Sequence, residues 1–216
     1  LVGGDGADLM TGGSGDDWLE PGRGNDVLQG NDGLDRIRFE GLKGSYRLVK
    51  QPNRPATEYS ITAPDGSVDV FSTVERLVFS DLSVALDLQG AAGGAARLIG
   101  ALFGPEQLAA ERVVGKWLAL LDGGASLSQA VAQAVASAEF LAAAGSTSNR
   151  DFVNLVYRNV VGVLPGPGEL AHFVGLLDRG EYTQASLALM AVELDLTAQR
   201  VDLVGLTGTG LEYVAG

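Results

Sequence analysis

Four aspartates stand nine residues apart, at Asp8, Asp17, Asp26 and Asp35. Two residues after each comes an apolar side chain (Met10, Leu19, Leu28, Ile37), and two residues before each a glycine (Gly6, Gly15, Gly24, Gly33). The first position of the repeat reads Gly3, Gly12, Pro21 and Gly30, the second Gly4, Gly13, Gly22 and Asn31. One carboxylate per repeat, set among glycines that let backbone carbonyls approach closely, is a supply of hard oxygen donors. Six to eight such oxygens are what a hard divalent cation requires. The charge of the whole chain points the same way. A net charge of −12 and a pI near 4.4 repel nucleic-acid phosphates and anionic membrane surfaces, so cations are the expected partners and nucleic acid is not.

Other chemistries find little to work with. The chain has no cysteine, which excludes disulfides, zinc-thiolate sites and thiol catalysis. Its only histidine, His172, sits beside Phe173 on a helical pattern and is expected at the helix surface or its boundary. No Ser-His-Asp set or paired-carboxylate site presents itself, so the chain is not expected to be an enzyme. Gly4-Asp5-Gly6 lacks the following helix and lysine of a phosphate loop. No acidic loop ends in a twelfth-position glutamate between two helices, as an EF-hand requires. No apolar run reaches the roughly 18–20 residues of a membrane span.

The register G-G-x-G-x-D-x-U-x resembles the calcium-binding nonapeptide of RTX (hemolysin-type) proteins, which folds as a parallel β-roll. That resemblance implies Ca²⁺ as the cofactor. It implies turns that bind it through the four aspartates and through Gly3, Gly4 and Gly6; Gly12, Gly13, Ser14 and Gly15; Pro21, Gly22, Arg23 and Gly24; and Gly30, Asp32 and Gly33. Nine residues divide into a six-residue turn and a three-residue strand whose apolar residue points inward. Successive turns alternate sides in the roll, so repeat one pairs with three and two with four. Asp8 with Asp26, and Asp17 with Asp35, are then expected to share ions, at least two in all. Pro21 and Asn31 depart from the motif, but Pro21 keeps its carbonyl. A Gly/Asp-rich linker would have no reason to hold eight residues in one phase. Residues 1–38 carry ten glycines and eight acidic against three basic side chains, with four stacked apolar residues opposing them. Each glycine costs about 0.5–1 kcal/mol of extra backbone entropy relative to alanine. Folding of this segment is therefore expected to depend on metal.

The elements that must frame these turns follow. From residue 39 to about 90, short alternating strands are expected at Tyr46–Lys50, Glu58–Thr62, Val68–Phe71, Val74–Phe79 and Val84–Leu88. Turns at Gln51-Pro52-Asn53 and Pro64–Ser67 separate them. Val74-Glu-Arg-Leu77 and Phe79-Ser-Asp81 resemble the tail of RTX rolls, and these strands are read as a cap on the roll's open end. Glu75, Asp81 and Asp65 are further candidate ligands there, against ordinary solvated charges. A Gly-Ala linker is expected at 91–95.

Residues 96–216 shift to alanine and leucine, with helices expected at Ala96–Phe103, Glu106–Leu121, Ser126–Ala136, Ser137–Ala144, Arg150–Val161, Glu169–Leu177, Thr183–Met190 and Leu194–Val204. Two halves, about 96–145 and 150–204, echo each other. Trp117–Gly124 matches Phe173–Gly180, Ser137-Ala-Glu139-Phe echoes Ala191-Val-Glu193-Leu, and Phe103-Gly104 echoes Val161-Gly162. Phe152–Gly162 carries a resemblance to an uncharacterised helical domain distantly similar to phycobilisome linkers, found near the C-termini of secreted calcium-repeat proteins. Val163-Leu-Pro-Gly-Pro167 departs from that pattern. Trp117, Phe140, Phe152, Tyr157 and Phe173 are the expected core aromatics of this half.

The expected fold is thus α+β and multidomain: a β-roll with capping strands, then a duplicated all-α domain. The sequence opens at Leu1-Val2 without an initiator Met or secretory signal and reads as a piece of a longer protein. The last fifteen residues read as a natural terminus, in keeping with the uncleaved C-terminal signal of type I secretion. The leading expectation is a calcium-binding, secreted, extracellular or cell-surface module that folds on export and supports an upstream domain. The alternative is an adhesive or surface-layer module whose helical half binds a polysaccharide or a cell-surface protein. A third expectation is an enzyme, with its chemistry upstream of Leu1 or within the helical half.

Overall fold

A computed structural model describes residues 1–51 and 58–215. The Pro52-Asn53 turn lies outside the described residues. The chain is α+β and divides into two units, one formed by Leu1–Ala92 with Val204–Gly216, the other by Gly93–Leu203.

The first unit holds two mixed sheets. Its strands are β1 (Val2–Asp5), β2 (Leu9–Ser14), β3 (Trp18–Arg23), β4 (Val27–Asp32), β5 (Arg36–Arg38), β6 (Arg47–Lys50), β7 (Tyr59–Thr62), β8 (Val68–Ser72), β9 (Arg76–Val78), β10 (Ser83–Ala85) and, from the chain's end, β11 (Leu211–Tyr213). One sheet runs β1-β3-β5-β9-β10-β11 and the other β2-β4-β8-β7-β6. The repeats therefore alternate between sheets, and pairing within the repeats is parallel, with Leu19 opposite Ile37 and Met10 opposite Leu28. Antiparallel strands then finish each sheet. The two sheets do not join into a closed roll, since among the described residues no strand of one pairs with a strand of the other.

The strands of the repeats are six residues long at β2, β3 and β4, where three were expected. The cause is that the ladder does not stop at the glycines. Gly4 pairs with Gly22 and Gly13 with Asn31, and the Gly6 and Gly15 N–H groups donate to the carbonyls of Arg23 and Asp32, both at 2.8 Å. Strand alternation then sends one side chain in two inward. Met10, Leu19, Leu28, Ile37, Phe71 and Leu77 form one core file from both sheets, all at most 6% exposed. Phe39, Tyr46 and Phe79 cluster beside it, with ring centroids 5.2–5.4 Å apart. Arg76 is buried among these strands, donates to the Glu75 carbonyl at 2.8 Å, and pairs with Asp87.

The second unit is helical. Residues 91–95, expected as a linker, instead open α1 (Ala91–Leu102). Alanine is the strongest helix former. Small size also matters here: Ala92, Ala95 and Ala96 are fully buried, and Leu121 and Leu127 press against Gly94. The single helix expected over 106–121 is a 3₁₀ turn (Pro105–Ala109) followed by α2 (Glu111–Asp122), because Ala110 leaves helical space at φ −92°, ψ 84°. Then come α3 (Leu127–Val135), α4 (Ala138–Ala144), α5 (Asn149–Val161), α6 (Pro167–Asp178) and α7 (Gln184–Glu193). The last expected helix is split at Asp202, whose φ is 50°, into α8 (Asp195–Arg200) and α9 (Leu203–Thr209).

The internal echo has a structural counterpart. Helices α2 and α6 end alike: Gly124 and Gly180 take φ of 89° and 70°, and the next residue's N–H reaches back to Leu120 and Leu176 respectively. Capping boxes at Ser126 and Thr183 then start α3 and α7, which pack together. The proposed match of Ser137 with Ala191 does not hold. Ser137 caps α4, whereas Ala191 lies inside α7. Trp117, Phe140 and Phe152 are buried as expected, linked through Phe103. Tyr157 and Phe173 are only half-buried.

Candidate metal centre

The repeat aspartates are joined into two rails by their backbones. The Asp8 N–H donates to Asp26 Oδ1 at 2.8 Å, and the Asp17 N–H to Asp35 Oδ1 at 2.8 Å. The pairing of repeat one with three and two with four is thus realised. Each rail gains one more carboxylate. The Asp26 N–H donates to Asp69 Oδ1 at 3.0 Å, and the Asp35 N–H to Glu75 Oε2 at 2.9 Å.

In every repeat aspartate this leaves one oxygen over. The Oδ2 atoms of Asp8, Asp17, Asp26 and Asp35 are buried and have no hydrogen-bond partner among the described residues. Buried polar groups without partners cost roughly 1–3 kcal/mol each, and more when charged. Four in one register are what a cation bound between the turns would satisfy. Around them the backbone is shaped to match. A Cβ on Gly12 would lie 2.7 Å from Asp17 Oδ2 and 2.8 Å from the Gly30 carbonyl oxygen, so the two oxygens converge where a side chain would otherwise stand. Gly3 holds the same relation to Asp8 Oδ2 and the Pro21 carbonyl oxygen, at 2.8 and 2.5 Å. Pro21 therefore contributes what its lost N–H never supplied. Asn31 adopts φ 77°, the left-handed region used by Gly4, Gly13 and Gly22 at the equivalent positions, and asparagine tolerates that region better than most residues.

The residues present fit calcium. No group of three or more His, Asp or Glu side chains converges among the described residues. A site that draws one carboxylate from a turn and its other oxygens from carbonyls would contain no such group. Ser14, Arg23 and Asp32 lie at turn positions within the paired strands, with Ser14 opposite Asp32. Gly6, Gly15, Gly22, Gly24 and Gly33 have positive φ, as turns stacked this closely require.

Burial has an electrostatic cost for these carboxyls. Burial pushes the Asp35 carboxyl above its usual range, with the Asp17 and Asp16 charges adding to the shift. Burial likewise pushes Asp69 up to about 6 and raises Glu75. Each of the three is nevertheless held partly toward the charged form by the backbone N–H it accepts.

Of the further candidates named from sequence, Glu75 joins a rail. Asp81 instead accepts the Lys43 N–H at 2.9 Å, and Asp65 closes its own turn through Ser67 N–H and Oγ at 2.9 and 2.7 Å. Asp69 was not expected. Its signal was present in the sequence: Asp69-Val-Phe71 repeats the D-x-U spacing of Asp8-Leu-Met10, and Glu75-Arg-Leu77 repeats it with a longer acid. Phe71 and Leu77 duly stand opposite Leu28 and Ile37. His172 is exposed on α6 against Phe173, at 5.2 Å between ring centroids.

The helical unit offers a different feature. An apolar cavity of about 260 Å³ lies between α5, α6, α7 and the start of α8, lined by residues that include Phe152, Val156, Tyr157, Phe173, Leu187 and Met190. The Tyr157 hydroxyl is turned to Glu169, 2.8 Å away. Among the described residues no helix is long and apolar enough to cross a membrane.

Comparison with known proteins agrees with the metal centre. Residues 1–28 and 22–41 match the RTX calcium-binding nonapeptide repeat, and repeats of this family bind Ca²⁺. Residues 131–193 match a domain of unknown function, DUF4214, and the likeness to phycobilisome linkers is without support among these comparisons. No curated protein matches the chain. Among solved structures, an extracellular lipase, LipA, from Serratia marcescens is 19% identical with a TM-score of 0.25, over 41% of this chain and 17% of the lipase. The chain thus carries RTX calcium-binding repeats at residues 1–41 and a DUF4214 domain at residues 131–193.

Proposed function

We propose that the chain is a calcium-triggered folding module of a secreted bacterial protein. It would stay unfolded where calcium is scarce, leave the cell through a type I secretion machinery, and fold as a β-roll on meeting external Ca²⁺, so stabilising a domain upstream. The observation that carries this reading is the set of four buried aspartate oxygens without partners. A folded state that leaves four carboxylates so placed is poorly stable until a cation arrives, and metal binding then becomes folding free energy. The reading assigns no catalysis to these residues, and it places the working protein outside the cell or at its surface.

Circular dichroism of the whole chain tests it. Added Ca²⁺ should produce a cooperative gain of β-structure that a chelator reverses; a spectrum indifferent to both would overturn the reading. For export, secretion of a passenger fused ahead of Leu1 should fail when the last sixty or so residues are deleted.

A second reading, an adhesive role for the helical unit, draws on the apolar cavity beside α5. Met190, Leu194 and Leu196 there are 43–48% exposed. Sugars are held by hydrogen bonds and the lining offers almost none, so an apolar partner suits it better than a polysaccharide. Binding of the whole chain to cells, with none to glycans, would favour this role.

A further inference from the structure

We infer that the chain binds a further calcium ion beyond those held between nonapeptide repeats, at a site between Asp35 and the carbonyl of Thr73, so that the segment after the repeats is a ligand and not only a cap. The inference rests on the calcium-binding reading above and extends it to residues outside the matched repeats, which end at residue 41.

Three constellations in the structure share one geometry. At Gly3 the converging oxygens are Asp8 Oδ2 and the Pro21 carbonyl; at Gly12 they are Asp17 Oδ2 and the Gly30 carbonyl. At Gly30 they are Asp35 Oδ2 and the Thr73 carbonyl, which lie 2.3 and 2.0 Å from the place a Cβ would occupy. In the first two, both partners come from nonapeptide turns. In the third, the second turn belongs to the end of β8.

Two observations separate this arrangement from an ordinary acidic turn. Asp35 is fully buried, and its Oδ2 has no hydrogen-bond partner among the described residues although it points to where a carbonyl oxygen also converges. Two acceptors brought together out of water repel each other unless a cation lies between them. Thr73 itself adopts φ 50°, uncommon for a β-branched residue. That cost holds its carbonyl in the position that a glycine-rich turn supplies elsewhere in the ladder. The strained turn is pinned from both sides: Thr73 Oγ1 accepts the Asn31 N–H at 2.8 Å, and Glu75 accepts the Asp35 N–H. Glu75 is thus a positioning residue for Asp35, and Asp35 with Thr73 supplies oxygens to the ion.

The test is calcium stoichiometry by isothermal titration calorimetry on the whole chain, compared with Asp35→Asn and Asp8→Asn. Asparagine at 35 keeps the oxygen that accepts the Asp17 N–H and replaces the orphaned oxygen with a donor. The expected result is one ion fewer in D35N and one fewer in D8N, together with a peak between Asp35 Oδ2 and the Thr73 carbonyl, separate from those at Asp8 and Asp17, in an anomalous difference map of the calcium-loaded wild-type crystal. A wild-type chain that takes up no calcium would overturn the parent reading. A wild-type chain that binds, with D35N binding the same number at unchanged affinity, would overturn this inference alone. If D35N does not fold even in calcium, an anomalous difference map of the calcium-loaded wild-type crystal decides. A peak between Asp35 Oδ2 and the Thr73 carbonyl upholds the site, and peaks at Asp8 and Asp17 without one there refute it.

Discussion

At the scale of single residues, the structure turns a pattern of letters into a division of labour within one carboxylate. In each repeat aspartate, Oδ2 is buried without a hydrogen-bond partner among the described residues, free to serve a metal. In Asp26 and Asp35, Oδ1 accepts the N–H of the preceding turn's aspartate in the same rail. Asparagine substitution therefore removes a ligand without cutting the rail, whereas alanine removes both. Glycines in the turns are equally committed. A Cβ on Gly24, where φ is 138°, would stand 1.6 Å from the Gly6 carbonyl oxygen. Gly24→Ala is expected to destabilise the folded, calcium-loaded state by about 1–3 kcal/mol from backbone strain alone. Spread over at least two ions, this should shift the midpoint of the calcium titration followed by circular dichroism upward by about two- to tenfold. The aspartates and their register were plain in the sequence because metal ligation needs fixed residue types at fixed spacing. Asp69 was not, because the nine-residue count breaks at 38 and only the D-x-U fragment survives to mark it.

At the scale of elements, most helices were legible from capping residues and apolar periodicity, and the misreadings have physical causes. The Ala91–Ala95 stretch looked like a linker because alanine and glycine carry no pattern, but burial of the small side chains makes it a helix. Strand β11 was hidden inside a tail rich in glycine and threonine, and its place depends on a pairing with β10 over a hundred residues earlier. Gly210 makes the close approach possible, since a Cβ there would meet Val84 at 2.2 Å. Tyr59 reaches the same segment by donating to the Thr207 carbonyl at 2.9 Å, and Lys43 pairs with Glu212. The C-terminal segment is thus part of the calcium-binding unit. Leu211, 2% exposed on β11, tests this: Leu211→Ala is expected to cost about 2–5 kcal/mol. The loss should appear in the calcium-dependent unfolding transition and leave the helical one unmoved.

At the scale of the molecule, two units with separate cores follow different rules. The helical unit is held by apolar burial, with Trp117, Phe140, Phe152 and Ile99 all at most 2% exposed. The sheet unit carries an additional debt of unpaired buried charge. Chelation is therefore expected to abolish one thermal transition and preserve the other, with helical ellipticity surviving in excess EDTA. At free calcium about a hundred times Kd, each site should add about 2.7 kcal/mol to the sheet unit and nothing to the helices. Differential scanning calorimetry with and without metal checks both statements. The rails also have a consequence for what the gene can tolerate. Bonded aspartates within the repeats lie 18 residues apart, whereas Asp26–Asp69 and Asp35–Glu75 lie 43 and 40 apart. Closing a loop of 43 residues rather than 18 adds only about 0.8 kcal/mol of chain entropy, because the cost grows with the logarithm of length. Extra residues spliced into the exposed turn at Asp65-Gly66 should therefore pass almost unnoticed, while one residue spliced inside a nonapeptide puts every later carboxylate out of step with its neighbours. The same unit is permissive to length variation in one stretch and intolerant of it in another.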